Sequence, residues 1–188
     1  MVASREEMMR QMRRPSLWQR LTVSDWAWAA LVAVATAGTF QVLGDVMNGY
    51  EVVITAFTAA TMIGLGWHWP ASRGYMIAVC GLSLFAISRY PDLAAAEADF
   101  FLKYLLSSQS AIMWMSALFP AATLAYGAAL VSGNDFTARV ASRLTWIAAG
   151  AGLIGLLVRW HETHLYDGAI GYIPVSNLYE VFVLFAVI

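Results

Sequence analysis

Five apolar runs decide what this chain can become: Trp26–Leu43, Val52–Trp69, Gly74–Tyr90, Ala111–Val131 and Leu144–Trp160. A hydrocarbon core about 30 Å thick is crossed by about 20 apolar residues in helical form, with roughly 17 to 25 the usual range. Each run approaches or meets that length, the third being short. A sixth begins at Leu178 and has eleven residues left before Ile188. At about 1.5 Å per residue these reach about 16 Å, half a crossing. We therefore expect the chain to stop inside a helix, as the N-terminal part of a longer protein. Composition agrees: 60% of the residues are apolar and 12% charged, against about 25% charged in ordinary soluble domains. The expected fold is all-α, a polytopic transmembrane helix bundle of five complete spans and the start of a sixth. Residues 1–24 form a basic tail and residues 25–188 the helical domain.

Lys and Arg set the expected orientation. Arg5, Arg10, Arg13, Arg14, Arg20, Arg73, Arg139 and Arg143 fall on one side, against Arg89, Lys103 and Arg159 on the other. Cytoplasmic loops carry the excess of positive residues, so the N-terminus is expected in the cytoplasm, with most of the acids on the far face. The arginines of the tail are expected to fix topology and to touch anionic membrane lipid. Basic residues, an apolar stretch and Ala35-Thr36-Ala37 imitate a signal peptide, and Arg13-Arg14 hints at the twin-arginine type. The apolar run nevertheless continues through Leu43 and further spans follow, so we expect a retained first span. The net charge of −1 offers no basic surface and argues against nucleic acid. The single cysteine, Cys80, cannot form an internal disulfide, and no CxxC or CxxCH is present. It reads as a small packing residue.

Local features suit a packed bundle. FFLKYLLSS (residues 100–108) is consistent with a short helix lying in the interface or with an extension of span four. Pro120 lies midway along span four, where it removes a backbone donor and is expected to kink the helix. In span five, Ala148/Gly152 and Ala151/Gly155 are small residues four apart, which lets another helix approach closely.

The five complete spans carry no ionisable group near mid-depth, which argues against an ion-coupled transporter and moves attention to the membrane surfaces. His68, in WHWP, reads as an aromatic-belt neighbour or as an axial ligand for haem. In RWHETHLYD (159–167), His161 and His164 share a helical face but lack the further partner a metal site needs. No metal site is expected. Arg159 is the stronger candidate. Its guanidinium can hold a carboxylate in two-point contact, from Glu162, from Glu180 or from the propionate of a bound cofactor.

In GYIPVSNLYE (171–180), Pro174 biases Ile173 towards extended backbone. Asn177, or Ser176 in its place, is expected to cap the sixth helix with Glu180 at the third position, satisfying amides that would otherwise enter lipid unpaired. Glu180 and Tyr179 are then aimed at an outer cavity. Capping accounts for Ser176, Asn177 and Glu180 but not for Gly171, Pro174 and Tyr179.

Gly171-x-x-Pro174-x-Ser176-Asn177-x-Tyr179-Glu180 resembles the signature of system II cytochrome c biogenesis proteins of the CcsA/ResC type, often labelled CcsB in bacteria. FFLKYLLSSQSAIMWMSALF and LLVRW resemble the bacterial form with extra N-terminal spans. Tyr172 departs from the usual His or Arg of the motif. The resemblance implies haem export and delivery for covalent attachment to apocytochrome c at its CxxCH, together with a ResB-type subunit. It implies a bacterial inner-membrane location with the 171–180 motif on the periplasmic side. Arg159, Tyr179 and Glu180 would line a haem vestibule. Haem b would be held mainly by residues beyond this chain, because the tryptophan-rich WWD segment and its flanking histidines are absent. The chain alone is accordingly expected to lack catalytic residues and haem-lyase activity. Two other classes remain open at this point: a solute or ion transporter, and a non-catalytic assembly subunit of a respiratory complex.

Overall fold

The computed structural model describes residues 20–45, 47–166 and 178–187. Its elements are α1 (Val23–Leu43), α2 (Gly49–His68), α3 (Ser72–Ser88), a short α4 (Ala95–Ala98), a π-helical turn (Leu102–Leu106), α5 (Ser108–Ser132), α6 (Asp135–Tyr166) and α7 (Leu178–Val187). Among the described residues there is no strand. Helices α1, α2, α5 and α6 are long and apolar enough to cross a membrane; α3 and α7 are apolar but shorter. Large apolar side chains stand exposed along them, including Val34, Phe57, Leu124, Leu130 and Val131. A water-facing helix normally turns such side chains inward on one stripe. Here they form the surface that lipid covers. The described residues form an all-helical structure with four helices long and apolar enough to cross a membrane, the pattern of a membrane protein.

The described chain divides into two compact units, one ending at Gly74 and one beginning at Tyr75. In the first, α1 packs on α2 because a glycine admits an indole. A Cβ on Gly66 would collide with the Trp28 ring, whose Nε1–H donates to the Met62 carbonyl at 3.0 Å. The Trp67 Nε1–H donates to the Asp25 carbonyl at 3.0 Å. Arg73 closes this end. It pairs with Asp25 and donates from Nε at 3.0 Å and Nη2 at 2.7 Å to the Gly66 carbonyl near the end of α2. That carbonyl lies in the last turn, where helices leave acceptors unpaired. The start of α2 has a full capping box, with Glu51 N–H donating to Asn48 Oδ1 at 3.0 Å and Asn48 N–H to Glu51 Oε2 at 2.8 Å.

In the second unit α5 and α6 lie against each other along much of their length. The small residues of α6 make this possible. A Cβ on Gly155 would lie 2.7 Å from Ile112 Cγ1 and 3.2 Å from the Ser108 carbonyl oxygen; one on Gly152 would lie 2.5 Å from Val187 Cγ2 and 2.6 Å from Met115 Sδ. Close approach at the Gly152 and Gly155 positions is thus what the sequence spacing implied, with α5 and α7 as the partners. Two apolar clusters result. One joins Val79, Ala86, Tyr90, Leu102, Ala111, Ile154 and Val158; the other joins Ile112, Met115, Leu156 and Val183.

Two local features shape the start and the middle of α5. The segment 100–106 is a short helix of its own and not a lengthened α5: residues 102–106 take π-helical form, and Ser107, with φ −61° and ψ 155°, interrupts the chain and caps α5 by accepting from Ser110 N–H at 3.2 Å. Helix α5 runs unbroken through Pro120. The four-residue spacing of helical hydrogen bonds assigns the missing donor to the Ser116 carbonyl, so Pro120 sits inside one helix and removes that one bond.

Candidate functional site

One end of the second unit gathers the ends of α3, α5, α6 and α7 around two buried carboxylates. Glu162, 6% exposed, accepts the Tyr90 hydroxyl at 2.7 Å and the Ser108 N–H at 3.3 Å on Oε1, and the Ser108 hydroxyl at 2.6 Å on Oε2. Ser108 opens α5, so Glu162 satisfies one of the unpaired amides of a helix start and meets its positive dipole end. Glu180, 1% exposed, lies in the first turn of α7. Arg159 stands near both, with Nη1 3.4 Å from Glu162 Oε2 and Nε 3.6 Å from Glu180 Oε1.

This arrangement explains how a protein core tolerates ionised groups. A buried carboxylate is costly unless paired and hydrogen-bonded, and Glu162 has three donors besides the guanidinium. Arg159 suits the task because its planar fork presents several N–H groups at once. The cluster ties a hairpin-like group of helix ends together and holds the first turn of α7 against α6. It is a polar clasp.

The structure brings Arg159 together with both of the carboxylates proposed for it. Tyr179 stands apart from them: it is 57% exposed. Glu180 does not line an open vestibule but is covered. The other motif positions, Gly171, Pro174, Ser176 and Asn177, lie outside the described residues, as does the tail up to residue 19. Sequence reasoning missed Tyr90 and Ser108. Tyr90 sits in no motif and Ser108 only closes the FFLKYLLSS stretch, and both reach Glu162 from more than fifty residues away in the chain. It also missed Asn48-x-Tyr50-Glu51, which repeats the N-x-Y-E pattern of Asn177 to Glu180 and is an ordinary helix cap.

No family model, no curated protein and no solved structure matches this chain.

Haem fits the described residues only in part. A cleft of about 660 Å³ opens between α3 and the α5–α6 pair, lined by Phe85, Phe101, Trp114, Trp146 and other apolar groups. Such walls suit a porphyrin face. The iron, however, needs axial donors such as histidine, and no histidine lines the cleft. His68 is exposed at the end of α2, where Nδ1 lies 2.8 Å from the Gly64 carbonyl. A carbonyl only accepts, so Nδ1 is the donor in this contact. His161 packs edge-on to Tyr90 with ring centroids 6.3 Å apart, and its buried Nε2 has no hydrogen-bond partner among the described residues. His164 is exposed. Among the described residues no group of three His, Cys, Asp or Glu side chains converges as a metal site. The propionate-binding role open to Arg159 is also filled, by Glu162 and Glu180. The described residues therefore do not assemble a ligated haem site.

Proposed function

We propose that this chain is a membrane component of the system II cytochrome c biogenesis machinery, contributing to haem export and delivery to apocytochrome c. One observation carries the reading: the ten-residue pattern Gly171 to Glu180, whose residues exceed what helix capping requires. Its last residue is the buried Glu180 held by Arg159 of the LLVRW stretch, so two segments that resemble the family are in contact here.

In this reading the chain crosses the bacterial inner membrane five times from a cytoplasmic N-terminus and begins a sixth crossing at α7. The clasp then lies at the periplasmic surface, beside the site where a ResB-type subunit and an apocytochrome bearing CxxCH would meet. The chain supplies helical walls and a braced α7. Axial histidines for haem b come from outside the described residues, and the chain has no lyase activity alone.

Deletion of the gene in its host followed by in-gel haem staining tests the assignment. The expected result is loss of c-type cytochromes with b-type haem retained, restored by the intact gene. Unchanged staining overturns it. Purified chain is expected to show no Soret absorbance.

A further inference from the structure

We propose that the cleft between α3 and the α5–α6 pair holds an acyl chain of an ethanolamine-type phospholipid, with the headgroup laid across Arg89 and Glu97. This stands independently of the haem reading.

The cleft is built for a chain of methylenes. Its inner wall runs from Tyr75 to Phe85 on α3, ten residues or about 15 Å of helix, and is faced by Trp114, Ile147 and Ile154. Its polar-tipped side chains have partners within the protein: the Tyr75 hydroxyl donates to the Trp146 carbonyl at 3.1 Å and the Trp114 Nε1–H to the Tyr104 carbonyl at 2.7 Å. A ligand needing hydrogen bonds in the interior gains none from them. Tyr75 and Trp146 stack edge to face at 5.1 Å and form one end of the cleft.

The other end carries charge. Arg89 lies with Cζ 5.5 Å from the Phe85 ring centroid and 5.9 Å from that of Phe101, and both rings line the cleft. Its Nε faces Asp99 Oδ2 at 3.3 Å, which leaves the terminal guanidinium nitrogens directed elsewhere on a side chain 44% exposed. Lys103 Nζ lies 3.6 Å from Glu97 Oε2, and the Glu97 side chain is 84% exposed. Phe100 and Tyr104 stand exposed beside them, as aromatic residues do at a headgroup boundary.

The sign of the surface selects the headgroup. From residue 89 to residue 103 there are two cations, Arg89 and Lys103, and three carboxylates, Asp92, Glu97 and Asp99. A lipid with net negative charge meets no net attraction here. A zwitterion finds both signs: phosphate on the guanidinium, and ammonium on the exposed Glu97 carboxylate, which it shares with Lys103. Ethanolamine supplies N–H donors for that carboxylate, which choline does not.

The experiment is native mass spectrometry of the full chain released from nanodiscs of equal parts phosphatidylethanolamine, phosphatidylglycerol and phosphatidylcholine. One retained phosphatidylethanolamine per chain is expected. Ala78→Trp, which fills the cleft from an exposed position, and Arg89→Gln should each lower retention about tenfold, the equivalent of one charge-assisted hydrogen bond. Leu84→Trp, exposed on α3 but outside the cleft, should retain lipid as the parent does. Circular dichroism of each variant confirms its helix content. Equal retention in all variants, retention of phosphatidylglycerol or phosphatidylcholine as strong as that of phosphatidylethanolamine, or a second copy of the chain in place of lipid overturns the proposal.

Discussion

Arg159 Nε lies 3.6 Å from Glu180 Oε1 while its Nη1 lies 3.4 Å from Glu162 Oε2, so one guanidinium serves two buried carboxylates on different helices. Removing it takes this guanidinium from both carboxylates. Breaking a buried pair from one side costs about 3–5 kcal/mol, because an uncompensated charge stays behind; the partial exposure of Arg159 places this case at the lower end. Arg159→Gln is therefore expected to lower the unfolding free energy in detergent by about 3 kcal/mol. Adding Glu180→Gln to it should recover part of the loss. Denaturant titration of the single and double variants measures the coupling.

Glu162 is held chiefly by neutral donors. Glu162→Gln keeps the shape but replaces one acceptor oxygen with an N–H₂. At the Oε2 position it makes the Ser108 hydroxyl reverse as acceptor and faces the Arg159 guanidinium; at the Oε1 position it makes the Tyr90 hydroxyl reverse and opposes the Ser108 backbone N–H, which cannot. We expect a loss of about 1–3 kcal/mol, and a larger one for Glu162→Ala, read by thermal unfolding followed by circular dichroism.

The helices were legible in the sequence because their cause is local and one-dimensional. An apolar run of crossing length must be helical in lipid, and the runs at 26–43, 52–69, 111–131 and 144–160 fall on α1, α2, α5 and α6, although α1, α2 and α5 each start three residues earlier and α6 extends well past its run at both ends. The small residues at 152 and 155 were legible for the same reason, since close approach needs only the absence of a side chain. The clasp was half legible. Arg159 and its two carboxylates are charges in apolar surroundings and stand out, whereas Tyr90 and Ser108 are ordinary at a membrane boundary until folding brings them to Glu162. The Arg73 clamp was read only as topology, because a basic residue between spans already has a sufficient explanation.

That clamp gives a prediction of its own. Arg73 serves the Gly66 carbonyl through two nitrogens and Asp25 through a third contact, which a point charge on a flexible stem cannot reproduce. Arg73→Lys is expected to destabilise the first unit by about 1.5–3 kcal/mol, the range of a hydrogen bond to a charged group. Tryptophan fluorescence should report it, because Trp28 and Trp67 both hydrogen-bond within this unit.

Glycines on α5 and α6 should separate by what stands opposite them. A methyl at Gly155 meets Ile112 and, less yieldingly, the Ser108 backbone, whereas one at Gly127 meets nothing within 4 Å. Gly155→Ala is expected to cost about 1–3 kcal/mol as overpacking. Gly127→Ala should be neutral or stabilising by up to about 1 kcal/mol, from the helix propensity of alanine. Unfolding in mixed micelles, measured side by side, gives the ordering.

The side of the membrane on which the clasp lies can be read from a loop far easier to label. Tyr90, which follows α3, and Ser108, which opens α5, both donate to Glu162, so the segment between them shares an end of the second unit with the clasp. Glu97 in that segment is 84% exposed, and Asn134, between α5 and α6, is exposed at the opposite end of those two helices. After Cys80→Ala removes the native thiol, Glu97→Cys and Asn134→Cys each leave a single reporter. The eight-to-three division of Lys and Arg outweighs the charges that flank any one helix, and the positive side stays in the cytoplasm. Glu97→Cys is thus expected to react with a membrane-impermeant maleimide in intact cells, and Asn134→Cys only after the cells are opened. The reverse pattern would place Glu162 and Glu180 in the cytoplasm and remove the periplasmic role proposed for α7, while leaving the lipid cleft and its headgroup chemistry untouched.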